Sequence, residues 1–131
     1  MNLKIRKARL SESELLTSLA LRSKAYWNYS KEFIVACSQE LTYSQQDIQN
    51  NQFYLAEINN KIIGFFALEI LSQSEIELEA LFIEPAYINQ GYGRKLIEQA
   101  KLIAKELKCQ TIIIQGDRNA KNFYLKVGGQ L

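Results

Sequence analysis

The hydrophobic positions of the chain change their spacing several times, and each spacing predicts a different element. Residues 2–9 alternate polar and apolar side chains, as in a strand that opens a sheet. Ser11 followed by Glu14 fits the capping box of a helix that is expected to run to about Tyr26. A second helical stretch is predicted from about Ser30. The chain should therefore open with a strand and two helices.

A period of two replaces the helical spacing in the middle of the chain. Ser44 can cap one short turn of helix before this change. Residues 52–58 and 61–71 then form two strands, and the Asn-Asn pair at 59–60 predicts the turn of a hairpin. Residues 75–83 alternate well enough to add a third strand to this meander.

Helical spacing returns at residues 91–108, where apolar side chains recur every three or four positions. The run TIIIQ at residues 111–115 is typical of a strand covered on both faces. Asp117 or Asn119 can cap a last helix that ends at Val127. The predicted order is β-α-α-β-β-β-α-β-α in a single domain spanning residues 1–131. This order predicts an α/β (α+β) fold.

Composition excludes several kinds of site. The chain has 131 residues, two cysteines and no histidine, so it can form neither a Ser-His-Asp triad nor a His-ligated metal site. Sixteen Lys and Arg against 14 Asp and Glu give a net charge of +2, and this scattered charge does not predict a nucleic-acid partner. We find neither an export signal nor a stretch that could span a membrane, so a cytoplasmic location is expected.

Residues 78–96 form the most informative segment, because two glycines stand where a strand gives way to a long helix. Gly91 and Gly93 leave backbone N–H groups uncovered, and the helix dipole adds roughly half a positive charge there. Arg94 and Lys95 add formal charge. The segment predicts an anion site for a phosphate or pyrophosphate. A plain tight turn before a helix is the alternative.

Two motifs resemble those of the GNAT superfamily of acyl-CoA-dependent N-acetyltransferases. Residues 81–85 (LFIEP) followed by 90–96 (QGYGRKL) look like its acetyl-CoA motif, and residues 117–128 (DRNAKNFYLKVG) look like its second signature. The resemblance covers nearly the whole chain. It implies a mixed, mainly antiparallel sheet flanked by helices. It also implies a transferase that uses acetyl-CoA as co-substrate, without a metal, to acetylate a primary amine of a small molecule or peptide directly.

The resemblance implies roles for individual residues. Backbone groups of Leu81, Phe82 and Ile83 would pair with the pantetheine arm of the co-substrate. Asn119 and Lys126 would lie along its length. The amides that would hold the pyrophosphate belong to Ile88, Asn89, Gln90, Gly91, Tyr92, Gly93 and Arg94.

Acetyl transfer needs an acid and a base. Tyr124 matches the family tyrosine that gives a proton to the departing thiolate, and a core aromatic is the alternative. Glu75, Glu77 and Glu79 alternate along one strand, on the face opposite Ile76, Leu78 and Ala80. Glu79 is the first choice as base because it lies nearest the expected thioester. A solvated sheet face would also explain these glutamates.

The acceptor amine is expected to bind between the first two helices. Tyr26, Trp27 and Tyr29 stand at their junction, where aromatic rings can bind a flat or cationic amine. A corner of the core is the alternative.

The chain departs from the family pattern at two places. Ile88 stands where the family has Arg or Gln, so we expect weaker co-substrate binding. The family fold continues with two more strands where this chain ends at Leu131, so these terminal strands are expected to be missing and the edge of residues 111–115 to be open or completed in a homodimer. A non-catalytic acyl-CoA-binding or dimerisation module therefore stands as the alternative to an acetyltransferase.

Overall fold

The computed structural model describes residues 3–26, 42–114 and 123–126, and a mixed sheet forms the centre of this part of the chain. Within these residues the sheet has six strands in the order β1 to β6, and β4 and β5 are the only parallel neighbours among them. The strands are β1 (Leu3–Lys7), β2 (Gln52–Ile58), β3 (Lys61–Ile70), β4 (Glu75–Ile83), β5 (Thr111–Ile114) and β6 (Phe123–Lys126). The predicted α+β class, with a mainly antiparallel sheet, is confirmed.

Helices cover both faces of the sheet. The described helices are α1 (Ser13–Tyr26), α2 (Gln45–Asn50) and α3 (Tyr92–Glu106), with short 3-10 turns at Leu10–Glu12 and Pro85–Tyr87. Leu16, Leu19 and Ile48 of α1 and α2 pack on one face in a cluster with Phe65. The buried side of α3 packs on the opposite face in a second cluster, through Leu96, Ala100, Ile103 and Ala104. None of the helices in the described ranges is long and apolar enough to cross a membrane.

Local signals placed most of these elements correctly. Asn59 and Asn60 adopt positive φ angles of 52° and 67°, which suits the tight turn between β2 and β3. The Ser44 hydroxyl accepts the Asp47 N–H at 3.1 Å and the Asp47 carboxylate accepts the Ser44 N–H at 2.8 Å, so the predicted cap is confirmed. The second helix predicted from Ser30 falls outside the described residues.

Two predicted boundaries are wrong. Helix α1 begins at Ser13, and Glu12, rather than Glu14, accepts the N–H of Arg9 at 2.7 Å. The last helix, predicted to end at Val127, is replaced by strand β6 in the described residues. This strand pairs with β5 and satisfies backbone groups that an open edge would leave unpaired, so the expected open edge of β5 is also wrong.

Strand β4 contains a β-bulge at Glu79. Leu78 lies opposite Leu68 and Ala80 lies opposite Ala67, so Glu79 is one extra residue on β4. Because the bulge reverses the phase of the strand, Leu78 packs in the cluster with α3 whereas Ala80 packs in the cluster with α1. The prediction that Ala80 shares a face with Ile76 and Leu78 is therefore wrong.

Candidate active site

One edge of β4 is open in its second half. The parallel pairing with β5 ends at Leu78, and none of the strands in the described ranges pairs with this edge further along. On the other edge, the Glu84 N–H donates to the Ile63 carbonyl at 2.7 Å. Because backbone groups alternate between the two edges of a strand, the N–H and C=O groups of Leu81 and Ile83 face the open edge. An extended, amide-containing chain can hydrogen-bond there.

A pocket of about 210 Å³ lies at this open edge. Leu81 and Ile83 form its floor, and helix α1 contributes Ser23. The remaining lining residues belong to the segment before α3 and to the first turn of α3, namely Tyr87, Ile88, Asn89 and Gly93. Because α1 and α3 cover opposite faces of the sheet, the pocket lies where the two layers meet beyond the end of β5.

The backbone before α3 is shaped to hold an anion. Asn89 and Gly91 adopt positive φ angles of 67° and 87°, and Gly91 is the residue that precedes the helix. The first helical hydrogen bond runs from the Lys95 N–H to the Gly91 carbonyl at 3.3 Å. The earlier N–H groups of the helix lack intrahelical partners, and Gly91 has no side chain to cap them. They are available to a negatively charged ligand.

The glycines leave room for such a ligand. A Cβ atom added at Gly91 or Gly93 would meet nothing within 4 Å. Gly93 has an ordinary helical backbone, so its missing side chain serves neither packing nor backbone conformation. Arg94 and Lys95 bring positive charge to this turn of the helix, where Arg94 is exposed and the Lys95 Nζ lies 5.4 Å from the centre of the Tyr92 ring. The residues present therefore fit a pyrophosphate group.

Gly64 allows close contact behind the pocket. It lies on β3 opposite Ile83, and a Cβ atom at this position would lie 2.7 Å from the Phe82 carbonyl oxygen and 2.9 Å from Ile83 Cδ1. The first of these atoms belongs to the backbone and cannot turn away. Glycine at this position therefore sets the position of the strand that forms the pocket floor.

Glu79 is placed at the bulge, next to the open edge. Its side chain reaches solvent but is partly covered, and its Oε2 accepts a hydrogen bond from Asn51 Nδ2 at 3.1 Å. Partial burial, and after it the negative charges of Glu69, Glu77 and Asp47, raise the pKa of Glu79 above its ordinary value. The carboxylate is thus a better proton acceptor than a solvated glutamate.

Tyr43 borders the same group of carboxylates, and no sequence motif pointed to it. Its ring packs edge-on against Phe53 and Phe65, with centroids 5.5 and 5.6 Å away. Burial, followed by the charges of Glu79 and Asp47, raises the pKa of Tyr43 to about 12. Asn51 and Ser23 were likewise not predicted, because isolated polar residues carry no motif.

The structure separates some of the predicted residues from the pocket. The Phe82 ring lies on the other face of β4, with its centroid 5.6 Å from that of Phe65, although its backbone lies in the predicted strand. Gln90 Nε2 donates to the Ala86 carbonyl at 3.0 Å. Tyr92 packs against Tyr87, with centroids 6.0 Å apart.

The remaining predicted site residues lie on β6, at the end of α1 or outside the described residues. The backbone of Tyr124 lies in β6 opposite Ile113, and that of Lys126 lies opposite Thr111. Tyr26 is the last residue of α1 and is half-exposed. Trp27, Tyr29 and Asn119 fall outside the described residues.

Comparison with known proteins shows which family has this sequence pattern and fold. The sequence pattern of the acetyltransferase (GNAT) family matches residues 22–129. The chain is 28% identical to a spermidine N(1)-acetyltransferase of Thermoplasma acidophilum, over 98% of this chain and 88% of the relative.

Solved structures agree with this match. The PaiA N-acetyltransferase of Thermoplasma acidophilum in complex with coenzyme A has a TM-score of 0.78 and 26% identity, covering 91% of this chain and 82% of that one. A GNAT acetyltransferase of Brucella melitensis in complex with acetyl-CoA has a TM-score of 0.68 at 18% identity, covering 99% and 91%, and supports the fold. The predicted family and enzyme class, an acyl-CoA-dependent N-acetyltransferase, are confirmed, and the chain belongs to the acetyltransferase (GNAT) family.

Proposed function

We propose that this enzyme transfers the acetyl group of acetyl-CoA directly to a primary amine of a small cationic molecule of the polyamine class. The observation that carries the proposal is the layout of β4, where Glu79 stands two residues before Leu81, whose backbone groups face the open edge. A proton acceptor and a binding edge on one strand suit transfer between two molecules bound side by side. The similarity to a spermidine N(1)-acetyltransferase supports the acceptor class.

The co-substrate side follows from the pocket. Acetyl-CoA supplies a thioester whose carbonyl carbon an amine can attack. Backbone groups of Leu81 and Ile83 would hold the pantetheine arm. The free N–H groups at the start of α3 would hold the pyrophosphate, and an N–H group at the open edge would stabilise negative charge that develops on the carbonyl oxygen.

The proton steps are assigned to two side chains. Glu79 would accept a proton from the acceptor ammonium through a water molecule, which leaves a neutral, nucleophilic amine. Its raised pKa makes it a stronger base than a solvated glutamate. The Tyr124 hydroxyl would supply a proton to the leaving sulfur, as the family pattern implies.

Charge around Glu79 supports a cationic acceptor. Asp47, Glu69 and Glu77 all act on the Glu79 carboxylate, so this part of the surface has a negative potential. A polyamine carries several ammonium groups, and it can bind here with one amine at Glu79 and another at a neighbouring carboxylate. A neutral or acidic amine would gain nothing from these charges.

The first experiment measures the thermal unfolding midpoint with acetyl-CoA, coenzyme A, ATP and NAD added separately. A ligand present at 100 times its Kd should stabilise the fold by roughly 2.7 kcal/mol. We expect a shift with both CoA species and none with ATP or NAD. No shift with any of them would overturn the proposal.

The second experiment identifies the acceptor by following thiol release from acetyl-CoA with spermidine, spermine, putrescine, a peptide amine and glutamate. We expect turnover with the polyamines, confirmed by mass spectrometry of the acetylated product. Turnover with the peptide alone would contradict the acceptor class. Tight coenzyme A binding without turnover on any amine would instead favour the non-catalytic binding module.

The acid is tested by Tyr124→Phe, with Tyr87→Phe as the matched control within the pocket. We expect Tyr124→Phe to reduce the rate by about 100-fold with unchanged coenzyme A affinity. Tyr87→Phe should keep most of the rate. The reverse result would move the acid to Tyr87.

We also propose that the enzyme acts in the cytoplasm, as the sequence predicts, and that it forms a homodimer, which the sequence left open. Cys109, the free cysteine among the described residues, is buried, which fits a reducing compartment. Light scattering should give twice the chain mass of 15.1 kDa. A monomer mass at assay concentration would contradict the dimer.

A further inference from the structure

Helix α1 contributes one polar side chain to the co-substrate pocket. Ser23 is 5% exposed, and it lines the pocket together with Leu81, Ile83 and Gly93. A buried hydroxyl is ordinarily hydrogen-bonded, because leaving it without a partner costs free energy. Its position at the pocket wall means that a molecule in the pocket can supply this partner.

Two other hydroxyls of α1 already have hydrogen-bond partners. Thr17 Oγ1 donates to the Ser13 carbonyl at 3.1 Å and accepts the Tyr43 N–H at 2.8 Å, and Ser18 Oγ accepts a bond from Arg22. By contrast, the Ser23 hydroxyl makes no hydrogen bond to another residue within the described ranges. Its oxygen is not fully enclosed, because no enclosed side-chain N or O atom in these ranges lacks a partner, and Ser23 lines the pocket. It is therefore the hydroxyl of the three that remains available to a ligand.

An ion pair fixes this end of α1 against the pocket. Arg22 Nε donates to Glu84 Oε1 at 2.7 Å, and its second terminal nitrogen donates to Glu84 Oε2 at 2.6 Å. Glu84 directly follows β4 and precedes the anion-binding segment. Since Arg22 is the neighbour of Ser23 in the chain, this two-point contact sets the distance between the Ser23 hydroxyl and the pocket floor.

We propose that Ser23 is a further binding residue for the co-substrate, with its hydroxyl hydrogen-bonded to the pantetheine arm. The inference rests on the proposed function, since it needs coenzyme A in this pocket. The pantetheine arm alternates methylene and amide groups, and it matches a pocket of apolar side chains with an isolated hydroxyl. The pyrophosphate is assigned instead to the backbone N–H groups and cations at the start of α3.

The test compares Ser23→Ala and Ser23→Val by isothermal titration with two probes. One is coenzyme A, and the other is 3′-phospho-ADP, the half of coenzyme A that keeps the pyrophosphate but lacks the pantetheine arm. Loss of one hydrogen bond should weaken coenzyme A binding by about 3- to 10-fold in Ser23→Ala and leave 3′-phospho-ADP binding unchanged. Ser23→Val adds methyl groups to the pocket and should weaken coenzyme A further.

The matched control is Ser13→Ala, which removes a hydroxyl from the first turn of the same helix, outside the pocket lining and without a bond to Arg22. Arg22 keeps both bonds to Glu84 in this variant, so coenzyme A affinity should not change. Thermal midpoints without ligand check that every variant folds.

The possible outcomes separate the two proposals. If the unmodified enzyme fails to bind coenzyme A, the proposed function fails. If it binds and Ser23→Ala binds equally well, the role of Ser23 is overturned. If Ser23→Ala loses affinity for both probes equally, the residue does not act on the pantetheine arm, and the proposal is likewise overturned.

Discussion

The two halves of β4 carry similar apolar side chains but have different surroundings. The first half, from Glu75 to Leu78, pairs with β3 on one edge and with β5 on the other. The second half, from Ala80 to Ile83, pairs with β3 alone among the described strands. The first half has the ordinary environment of an interior strand, whereas the second half has lost one row of partners.

The bulge at Glu79 lies at the boundary between the two halves. One extra residue reverses the phase of the strand there and bends it. Backbone N–H and C=O groups at the open edge have no partner in the described sheet, which would be costly in a buried strand unless a ligand or water satisfied them. The open edge therefore weakens the sheet and also allows it to bind a co-substrate.

The largest effect is expected from a change at the bulge itself. Glu79→Gln removes the proposed base and should reduce kcat by about 100-fold, while coenzyme A affinity stays the same. The matched control is Glu75→Gln, a carboxylate in the first half of the same strand, which should keep the rate. Steady-state kinetics and titration on both variants give the comparison. Equal rates for Glu79→Gln and the unmodified enzyme would show that the base lies elsewhere.

The second-largest effect is expected at Gly64, which lies behind the pocket floor formed by the second half of β4. Gly64→Ala places a Cβ atom 2.7 Å from the Phe82 carbonyl oxygen, so β4 must move. We expect a loss of about 1–3 kcal/mol in the free energy of unfolding, as for an overpacked core. Coenzyme A affinity should fall as well, because Leu81 and Ile83 move with the strand.

The control for Gly64→Ala is a substitution in the first half of β4. Ile76→Val shortens a fully buried side chain there, and it should cost about 0.5–1.5 kcal/mol of stability. Its coenzyme A affinity should be unchanged. Denaturant unfolding and isothermal titration test both variants, and equal losses of affinity would mean that affinity merely follows stability.

Local patterns predicted the elements of this fold better than the shape of its site. The β2–β3 hairpin was predicted because its turn residues and its alternation are both local signals. The bulge was not, because the residues around Glu79 alternate as in a regular strand, and only pairing with β3 shows the extra residue. The residues of β6 were assigned to a helix because Asp117 or Asn119 offered a helix cap, while their aromatic side chains also suit a strand.

The residues of the candidate site show the same contrast between local sequence signals and packing. Gly91 and Gly93 could be recognised from their position between a strand and a long helix. The contribution of Ser23 could not, because it depends on where α1 ends relative to β4 and α3, which is a property of packing between layers. The group of carboxylates around Glu79 likewise combines residues from α2, β3 and β4 that are distant in the chain.

A smaller effect is expected from the ion pair that holds α1 against the second half. The Arg22 side chain is 49% exposed, and surface pairs of this kind contribute about 0–1 kcal/mol, so Arg22→Gln should hardly change stability. Coenzyme A affinity should still fall, by roughly 3-fold, since Ser23 loses its fixed distance from the pocket. The exchanged pair Arg22→Glu with Glu84→Arg should recover part of this loss. If Arg22→Gln binds coenzyme A as tightly as the unmodified enzyme does, packing alone positions Ser23.

The smallest effect concerns how the bulge responds to pH. The pKa of Glu79 is raised in the folded protein, chiefly by partial burial and then by neighbouring negative charges, above an ordinary value of 4.5. Between the ordinary pKa and the raised pKa, the folded state binds more protons than the unfolded state. The free energy of unfolding therefore falls as pH rises through that window and then levels off. Glu79→Gln does not ionise at this position and should lack this fall. It should therefore be as stable as the unmodified enzyme, or slightly more so, at neutral pH, and the difference should vanish below pH 4.5.

Denaturant unfolding of the unmodified enzyme and of Glu79→Gln across this pH range measures the difference in stability. If Glu79→Gln is clearly less stable at neutral pH, the bulge depends on the carboxylate for its structure. A loss of rate without a loss of stability would instead mark Glu79 as a group kept for chemistry, at the point where the two halves of β4 diverge.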